Sequence, residues 1–269
     1  MSGFSAKWLA LRETFDVSAR NPDVLEAVGD LLSAHPSVRI ADLACGTGST
    51  VRSIHMRLPA RQHWSLVDSD PQLLAIARDA VPAGNIELSA HLLDLGKDLA
   101  AVVENHLDLI TMSALLDLVS ETWLHAFIGK VAARAIPVYA ALTYDGRVDL
   151  APIDPFDAAI LSAFNAHQCT DKGFGPALGP TAARATVLDF ESSGYDVVHG
   201  NSDWVIGPED RVMQIELLGG WAGAASMMKT LADADTAGWL ARRIRLVEEG
   251  RSSIRVGHLD LLAVPSTTR

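Results

Sequence analysis

The stretch Ile40-Ala41-Asp42-Leu43-Ala44-Cys45-Gly46-Thr47-Gly48-Ser49-Thr50 decides the fold class of this 269-residue chain. An apolar run ends at an acidic residue, passes through a turn of small residues and continues into the helical spacing of Val51, Ile54 and Leu58. Glycines in such a turn let a ligand approach the backbone closely, and free N–H groups at a helix start favour a polar or anionic ligand. The pattern therefore predicts a strand, a ligand-binding turn and a helix.

Strands and helices alternate on both sides of this unit. Strands are predicted over residues 38–43, 64–68, 86–93, 107–112, 138–144, 195–198 and 255–264. Gly146 is expected to end the alternation, and a helical insertion is expected between Pro208 and Gly250. Alternation of this kind implies right-handed crossovers and a sheet covered by helices on both faces. The predicted fold is α/β, a doubly wound, mostly parallel seven-stranded sheet with N-terminal helices and a C-terminal helical insertion.

Composition narrows the classes of function. The formal charge is −11 and 49% of the residues are hydrophobic, so the chain can build a large core but carries no overall positive charge for nucleic acid or an anionic membrane. Its two cysteines are too few for a disulfide framework, and no apolar run reaches the ~20 residues of a membrane span. We expect a reduced, cytoplasmic protein without a signal peptide, and neither a nucleic-acid nor a membrane partner.

The segment Asp42-Leu43-Ala44-Cys45-Gly46-Thr47-Gly48 resembles motif I of the class I S-adenosylmethionine (SAM) methyltransferases, D/E-x-G-x-G-x-G, with Ala44 in place of the first glycine. The resemblance covers most of residues 5–145 and is looser beyond them. It implies SAM as the cofactor, S-adenosylhomocysteine (SAH) as the product and an in-line displacement without a metal. A single domain, residues 1–269, is expected to divide into an N-terminal helical cap (1–36), a SAM-binding core (37–145) and a substrate-side part with lid, helical insertion and closing strands (146–269).

Several predicted strand ends carry side chains that suit this cofactor. Asp68 lies about 20 residues beyond Gly48, where a carboxylate can accept hydrogen bonds from both ribose hydroxyls. By resemblance, Asp94 would accept from the adenine amino group, Ser113 would line the methionine end, and Arg20 would bind the SAM carboxylate. The predicted cofactor-binding set is Arg20, Asp42, Ala44, Cys45, Gly46, Gly48, Asp68, Ser69, Asp94, Leu95 and Ser113.

The acceptor is less well defined. DNA and glutamine N-methyltransferases resemble one another in an Asn/Asp-Pro-Pro-Tyr motif after the fourth strand, whereas this chain has Ser113-Ala114-Leu115-Leu116-Asp117-Leu118, which resembles the small-molecule branch. We expect a small-molecule acceptor and assign no catalytic residue; the substrate-side candidates are Tyr144, Asp117 and His167. Further candidates are Asp145, Lys172, His199, Asp203 and Trp204. The glycine-rich loop 169–179 is expected to act as a lid over the acceptor.

Other functions fit parts of the pattern. An NAD-dependent oxidoreductase fits Gly46-x-Gly48 and Asp68, but Val51 stands where the third glycine of the dinucleotide fingerprint belongs. Asp42 and Asp94 are also not required by a dinucleotide site. A non-catalytic SAM-binding protein and an RNA methyltransferase remain alternatives, the second weakened by the charge of −11. The histidine spacings predict no metal site, and a homodimer stays open.

Overall fold

The computed structural model describes residues 4–59, 61–80, 84–103 and 106–266, and one sheet runs through them. Its strands are β1 Val38–Leu43, β2 Gln62–Asp68, β3 Ile86–Leu92, β4 Leu109–Ser113, β5 Val138–Ala151, β6 Tyr195–Asn201, β7 Trp204–Ile206 and β8 Ser253–Pro265. The helices are α1 Ala6–Ala19, α2 Pro22–Leu32, α3 Ser49–Ile54, α4 Pro71–Ala80, α5 Leu99–Val103, α6 Glu121–Ala132, α7 Asp157–Gln168, α8 Ala182–Ser192, α9 Arg211–Met228 and α10 Asp233–Glu248. No helix in these ranges is long and apolar enough to cross a membrane.

The strand order explains where a ligand can bind. The sheet runs β3-β2-β1-β4-β5-β8-β6, with β7 paired to β8 beside this path. Strands β1 to β5 are parallel, and β8 is antiparallel to β5, β6 and β7. Because β1 lies between β2 and β4, the winding direction reverses at β1, and open α/β sheets bind ligands at such a switch point.

The α/β prediction is confirmed, but the described residues form eight strands rather than seven. The additional strand, β7, has only three residues and pairs Trp204 with Val256 of β8. The predicted end of the fifth strand at residue 144 is wrong, because β5 continues through Gly146 to Ala151. Gly146 has a φ of +88° and lies within a register shift of the β5–β8 ladder. The glycine therefore forms a bulge inside the strand instead of ending it.

Apolar side chains place the helices on the sheet. One buried cluster covers each face of the sheet, and a third joins the outer part of β5 to α7, α9 and α10. The predicted helical insertion is confirmed as α9 and α10. Its buried guanidinium, Arg243, pairs with Asp157 of α7, and the indole of Trp239 donates to the same carboxylate at 2.8 Å. This helical layer therefore stands beside the carboxyl end of β5.

Candidate functional site

A cavity of about 790 Å³ opens at the carboxyl ends of β1, β2, β3 and β4. Residues 44–47, 68–73, 93–95 and 113–115 form its wall at the four strand ends. Helix α1 and the loop 169–179 contribute further lining residues. The volume is that of a small-molecule site, and the location is the switch point of the sheet.

The turn after β1 brings backbone to the cavity surface. Ala44, Gly46 and Gly48 have φ values of +51°, +54° and +81°, a region that favours glycine because a Cβ crowds the neighbouring carbonyl. A Cβ on Gly46 would lie 3.2 Å from Leu9 of α1, and one on Gly48 would lie 3.3 Å from Ala77 of α4. The turn is therefore closely packed on both sides, and Ala44 keeps a methyl group in a conformation where the resemblance expects glycine.

Asp68 is fixed at the wall of the cavity by two backbone donors. Its Oδ2 accepts the N–H of Gly46 at 2.8 Å, and its Oδ1 accepts the N–H of Asp70 at 2.9 Å. A carboxylate oxygen can accept a second hydrogen bond. Asp68 can therefore accept two hydroxyl hydrogens from a ligand while it holds the turns after β1 and β2 together.

Asp94 lines the cavity at the end of β3. Its Oδ2 accepts from Lys97 Nζ at 2.7 Å and its Oδ1 from the N–H of Gly96 at 3.0 Å. The hydrogen bond from Lys97 holds the pKa of Asp94 below its usual range. The neighbouring Leu95 also lines the cavity, and its carbonyl accepts from Trp123 Nε1 at 2.8 Å. A carboxylate that can accept a hydrogen bond and an apolar side chain thus lie next to each other.

Asp42 is completely buried beneath the turn and does not line the cavity. Its Oδ1 accepts from Thr111 Oγ1 at 2.8 Å, whereas Oδ2 has no partner among the described residues. Burial raises the pKa of Asp42 to about 7. This acid therefore supports the turn from below.

Arg20 also lies behind the wall. Its Nη1 donates to Tyr139 Oη at 2.8 Å and its Nη2 to Ser113 Oγ at 2.9 Å. Ser113 does line the cavity, and its Oγ is 3.2 Å from Thr50 Oγ1. Arg20 therefore holds Ser113 in place from within the protein. The predicted cofactor residues at the cavity surface are Ala44, Cys45, Gly46, Asp68, Ser69, Asp94, Leu95 and Ser113, with Gly48 behind them.

Arg12 and Asp16 of α1 line the cavity, whereas Arg20 was the residue of this N-terminal segment that was predicted to bind the cofactor. Arg12 donates through Nε and Nη2 to the Asp16 carboxylate at 2.9 and 3.1 Å, and Trp204 Nε1 donates to Asp16 at 3.0 Å. The Arg12 guanidinium lies 4.9 Å above the Trp204 ring. No described residue accepts from its Nη1. The helical spacing of Arg12 and Asp16 was the available signal, since it puts both side chains on one face.

A second ion pair fastens α1 to the glycine turn. Arg52 donates to both carboxylate oxygens of Glu13 at 2.7 Å. Its Nη1 also donates to the carbonyl of Thr47 at 2.6 Å. Because Thr47 belongs to the turn and Glu13 to α1, this arginine fixes the helix over the cavity.

The three substrate-side candidates lie behind the cavity wall. Asp117 is buried, its Oδ1 has no partner among the described residues, and burial raises its pKa to about 6. Tyr144 is buried, which raises its pKa, and it donates to Asn165 Oδ1 at 2.7 Å. Partial burial and the neighbouring Lys172 lower the pKa of His167. None of the three is a lining residue of the cavity.

The loop 169–179 reaches the cavity with its first half. Asp171, Lys172 and Phe174 line it, and the Phe174 ring packs edge-on against Trp123 at 5.5 Å. The second half is attached to the protein, because the N–H of Leu178 donates to the carbonyl of Val119 at 2.8 Å. The part of the loop that faces the cavity, residues 171–174, is its front. The part around Leu178, which is attached to the rest of the protein, is its back.

The remaining candidates lie away from the cavity surface. Asp145 and Asp203 are both paired with Arg147, and His199 is exposed on β6. Trp204 is buried beside Arg12, as described above. In the parts of the chain that the structure describes, no three His, Cys, Asp or Glu side chains gather in a way that could hold a metal.

Comparison with known proteins agrees with this architecture. Residues 40–137 match the model of a family described as a methyltransferase domain. No curated protein matches the chain. A cyclopropane-fatty-acyl-phospholipid synthase-like protein from Lactobacillus casei is similar in structure, with 12% identity, a TM-score of 0.52, and coverage of 97% of this chain and 94% of that one.

A second similar structure is a protein from Bacillus halodurans that is described as a methyltransferase. It has 12% identity and a TM-score of 0.52, and the match covers 91% of this chain and 100% of that one. At this level of identity both likenesses show the fold alone, and the fold is the one that the strand order defines.

Proposed function

We propose that this chain is a class I SAM-dependent methyltransferase and that it transfers the methyl group of SAM to a small-molecule acceptor. The observation that carries the proposal is the pair Asp68 and Asp94, which line one cavity with the turn that contains Gly46. SAM supplies a methyl group bonded to a positively charged sulfur, and a nucleophile can displace that sulfur in line without a metal. The protein has to position the two molecules and exclude water.

Asp68 and Asp94 would hold the nucleoside part of SAM. The two backbone donors on Asp68 fix a carboxylate that can still accept from both ribose hydroxyls. Asp94 is kept ionised by Lys97 and would accept from the adenine amino group. Leu95 and Phe174 provide apolar surface near it. The donors and acceptors present therefore fit the cofactor.

Arg12 would bind the carboxylate at the methionine end. Its Nη1 has no partner among the described residues, and the guanidinium is held in place by Asp16 and Trp204. Arg20 becomes a positioning residue, because it donates to Ser113 Oγ from behind the wall. This assignment replaces a direct contact of Arg20 with the cofactor.

The acceptor would enter between α1 and the loop 169–179. We propose that residues 37–145 form the SAM-binding core, and that 1–36 and 146–269 supply the acceptor side within one domain. Burial raises the pKa of Asp117 to about 6, but its side chain does not line the cavity, so no residue is assigned as a general base. The acceptor supplies the nucleophile. A cytoplasmic location and a homodimer stay predictions.

Calorimetric titration tests the cofactor assignment. SAM and SAH should bind with similar affinity, whereas NAD⁺ should not bind. Tight binding of NAD⁺ with no binding of SAH would contradict the proposal.

SAH release tests catalysis. The protein should release SAH from SAM in the presence of at least one member of a panel of small acids, amines and phenols, and not with transfer RNA. Exhaustive treatment with EDTA should leave the rate unchanged, and restoration of a lost rate by Mg²⁺ would contradict the metal-free displacement. SAM binding without SAH release from any acceptor would favour a non-catalytic binding protein.

A further inference from the structure

Lys172 is a positively charged side chain in the cavity wall, and its hydrogen-bond partners among the described residues are all neutral. Its Nζ donates to the carbonyl of His167 and to Thr170 Oγ1, both at 3.0 Å. A third, longer contact of 3.5 Å reaches His167 Nδ1. Partial burial lowers the pKa of Lys172. A cation that is withdrawn from water without a paired anion is unfavourable, so a binding partner that supplies the anion would be stabilised.

Of the neighbouring carboxylates, two accept hydrogen bonds from other groups, and the third, Asp117, interacts with Lys172 only through its charge. The Asp16 carboxylate is paired with Arg12, and Asp171 Oδ1 accepts the N–H groups of Gly173 and Gly175 at 2.6 and 3.0 Å. Asp117 is buried behind the wall and does not line the cavity. Lys172 therefore stands in the cavity wall as a cation that no described carboxylate pairs with there.

Apolar side chains also line this part of the cavity. Leu118 follows β4, and Phe174 comes two residues after Lys172 in the same loop. Leu115 continues this apolar surface towards the end of β4. A ligand with one anionic end and an apolar body would match both features.

We propose that Lys172 binds an anionic oxygen group, a carboxylate or a phosphate, on the methyl acceptor. This inference rests on the proposed function, because it names the acceptor class of that same cavity. The two 3.0 Å hydrogen bonds hold the ammonium group, and the third N–H, which makes only the long contact to His167, is available to the ligand. A charge-assisted hydrogen bond of this kind adds both affinity and orientation. The acceptor would then lie with its anion at the loop and its apolar body along the wall.

Binding to SAH-saturated protein tests the inference. The probes are benzoate, phenyl phosphate and the neutral benzamide, titrated by calorimetry. At least one of the two anions should bind tenfold or more tightly than benzamide. Lys172→Met should lose this difference and Lys172→Arg should retain most of it, since arginine keeps the charge. Lys130→Met, at the far end of α6, is the matched control and should bind like the wild type.

Each outcome is decisive. If SAH itself does not bind the wild-type protein, the proposed function and this inference both fall. If SAH binds but benzoate, phenyl phosphate and benzamide bind alike, or Lys172→Met binds the anions as the wild type does, the inference alone is overturned. Unchanged SAH affinity in Lys172→Met shows that the variant is folded. A preference for benzoate or for phenyl phosphate identifies which anion the acceptor carries.

Discussion

The cavity has two walls that are built in different ways. The strand-end wall consists of residues 44–47, 68–73, 93–95 and 113–115, and its acids accept hydrogen bonds from backbone N–H groups of the turns after β1 and β3. The covering wall consists of the inward residues of α1 and the front of the loop 169–179, which are far apart in the chain. Its charged groups are held by tertiary contacts, such as the hydrogen bond from Trp204 Nε1 to Asp16. Local chemistry therefore specifies the first wall, and long-range packing specifies the second.

The largest expected effect is on the strand-end wall. Asp68→Ala should reduce SAH affinity by more than 100-fold, because two charge-assisted hydrogen bonds of about 1.5–3 kcal/mol each are lost. The same substitution frees the N–H groups of Gly46 and Asp70, which adds to the loss. Calorimetry with SAH measures the effect, and Asp79→Ala at the exposed end of α4 is the control. A folded Asp68→Ala protein with wild-type affinity would remove the ribose assignment.

A pH titration compares the acids beneath the two walls. Burial raises the pKa of Asp42 to about 7, well above the value of about 4 in an unfolded chain. The folded state then holds the proton more tightly, so the free energy of unfolding falls as the pH rises from about 4 to about 7. The fall is at most about 1.4 kcal/mol per pH unit. Asp42→Asn should lack this contribution.

Denaturant unfolding at pH 5 and pH 8 measures the difference. Wild-type protein should lose more stability between the two values than Asp42→Asn does. Asp117→Asn, under the covering wall, should remove a contribution of the same sign over a narrower pH range, because the pKa of Asp117 is raised only to about 6. Equal pH dependence in wild type and Asp42→Asn would mean that Asp42 is not the titrating acid.

A smaller effect on SAH affinity should distinguish the role of Arg12 from that of Arg20. Arg12→Lys should weaken SAH about tenfold, since lysine cannot keep the forked pair with Asp16 and also reach a second carboxylate. Binding of 5′-methylthioadenosine, which lacks the amino-acid end, should not change. Arg20→Lys should instead lower stability, because Tyr139 and Ser113 lose their buried donor. A selective loss of SAH binding in Arg20→Lys, with none in Arg12→Lys, would restore the contact that the sequence predicted for Arg20.

The strand-end wall could be predicted because its signals are local. Asp42, Asp68 and Asp94 each lie at or next to the end of a predicted strand, so the strand pattern of the sequence places them at one edge of the sheet. The confirmed fold follows from the same alternation. Ser113 was found in the same way, at the end of β4.

The covering wall could not be predicted in this way. Arg12 and Arg20 both belong to the N-terminal segment, and only the docking of α1 through Arg52 decides which one meets the cavity. The underestimated length of β5 and the missed strand β7 share a cause, since both segments take their structure from pairing with β8 rather than from their own residues. Long-range pairing leaves no periodic signal in a short segment.

The smallest expected effect tests whether the loop is a lid. Phe174 belongs to its front, where it packs on Trp123 beside the cavity, whereas Leu178 belongs to its anchored back. Phe174→Ala loses an aromatic pair of about 0.5–1.5 kcal/mol, so SAH affinity should fall by less than tenfold. SAH release in the presence of acceptor should fall further, because the opened front admits water.

Leu178→Ala provides the comparison, because it keeps the backbone hydrogen bond but removes side-chain packing against a buried cluster. It should lower the melting temperature without a selective loss of turnover. Equal losses of SAH affinity and turnover in Phe174→Ala would mean that the loop supports the cofactor site instead of closing over the acceptor. Unchanged turnover would mean that it is a static surface loop. If the loop is a lid, we expect a third result: Phe174→Ala should lower turnover more than SAH affinity, and Leu178→Ala should lower stability alone. That result would show that individual residues of the covering wall have separate roles, one in turnover and one in stability, although the wall is assembled from distant segments.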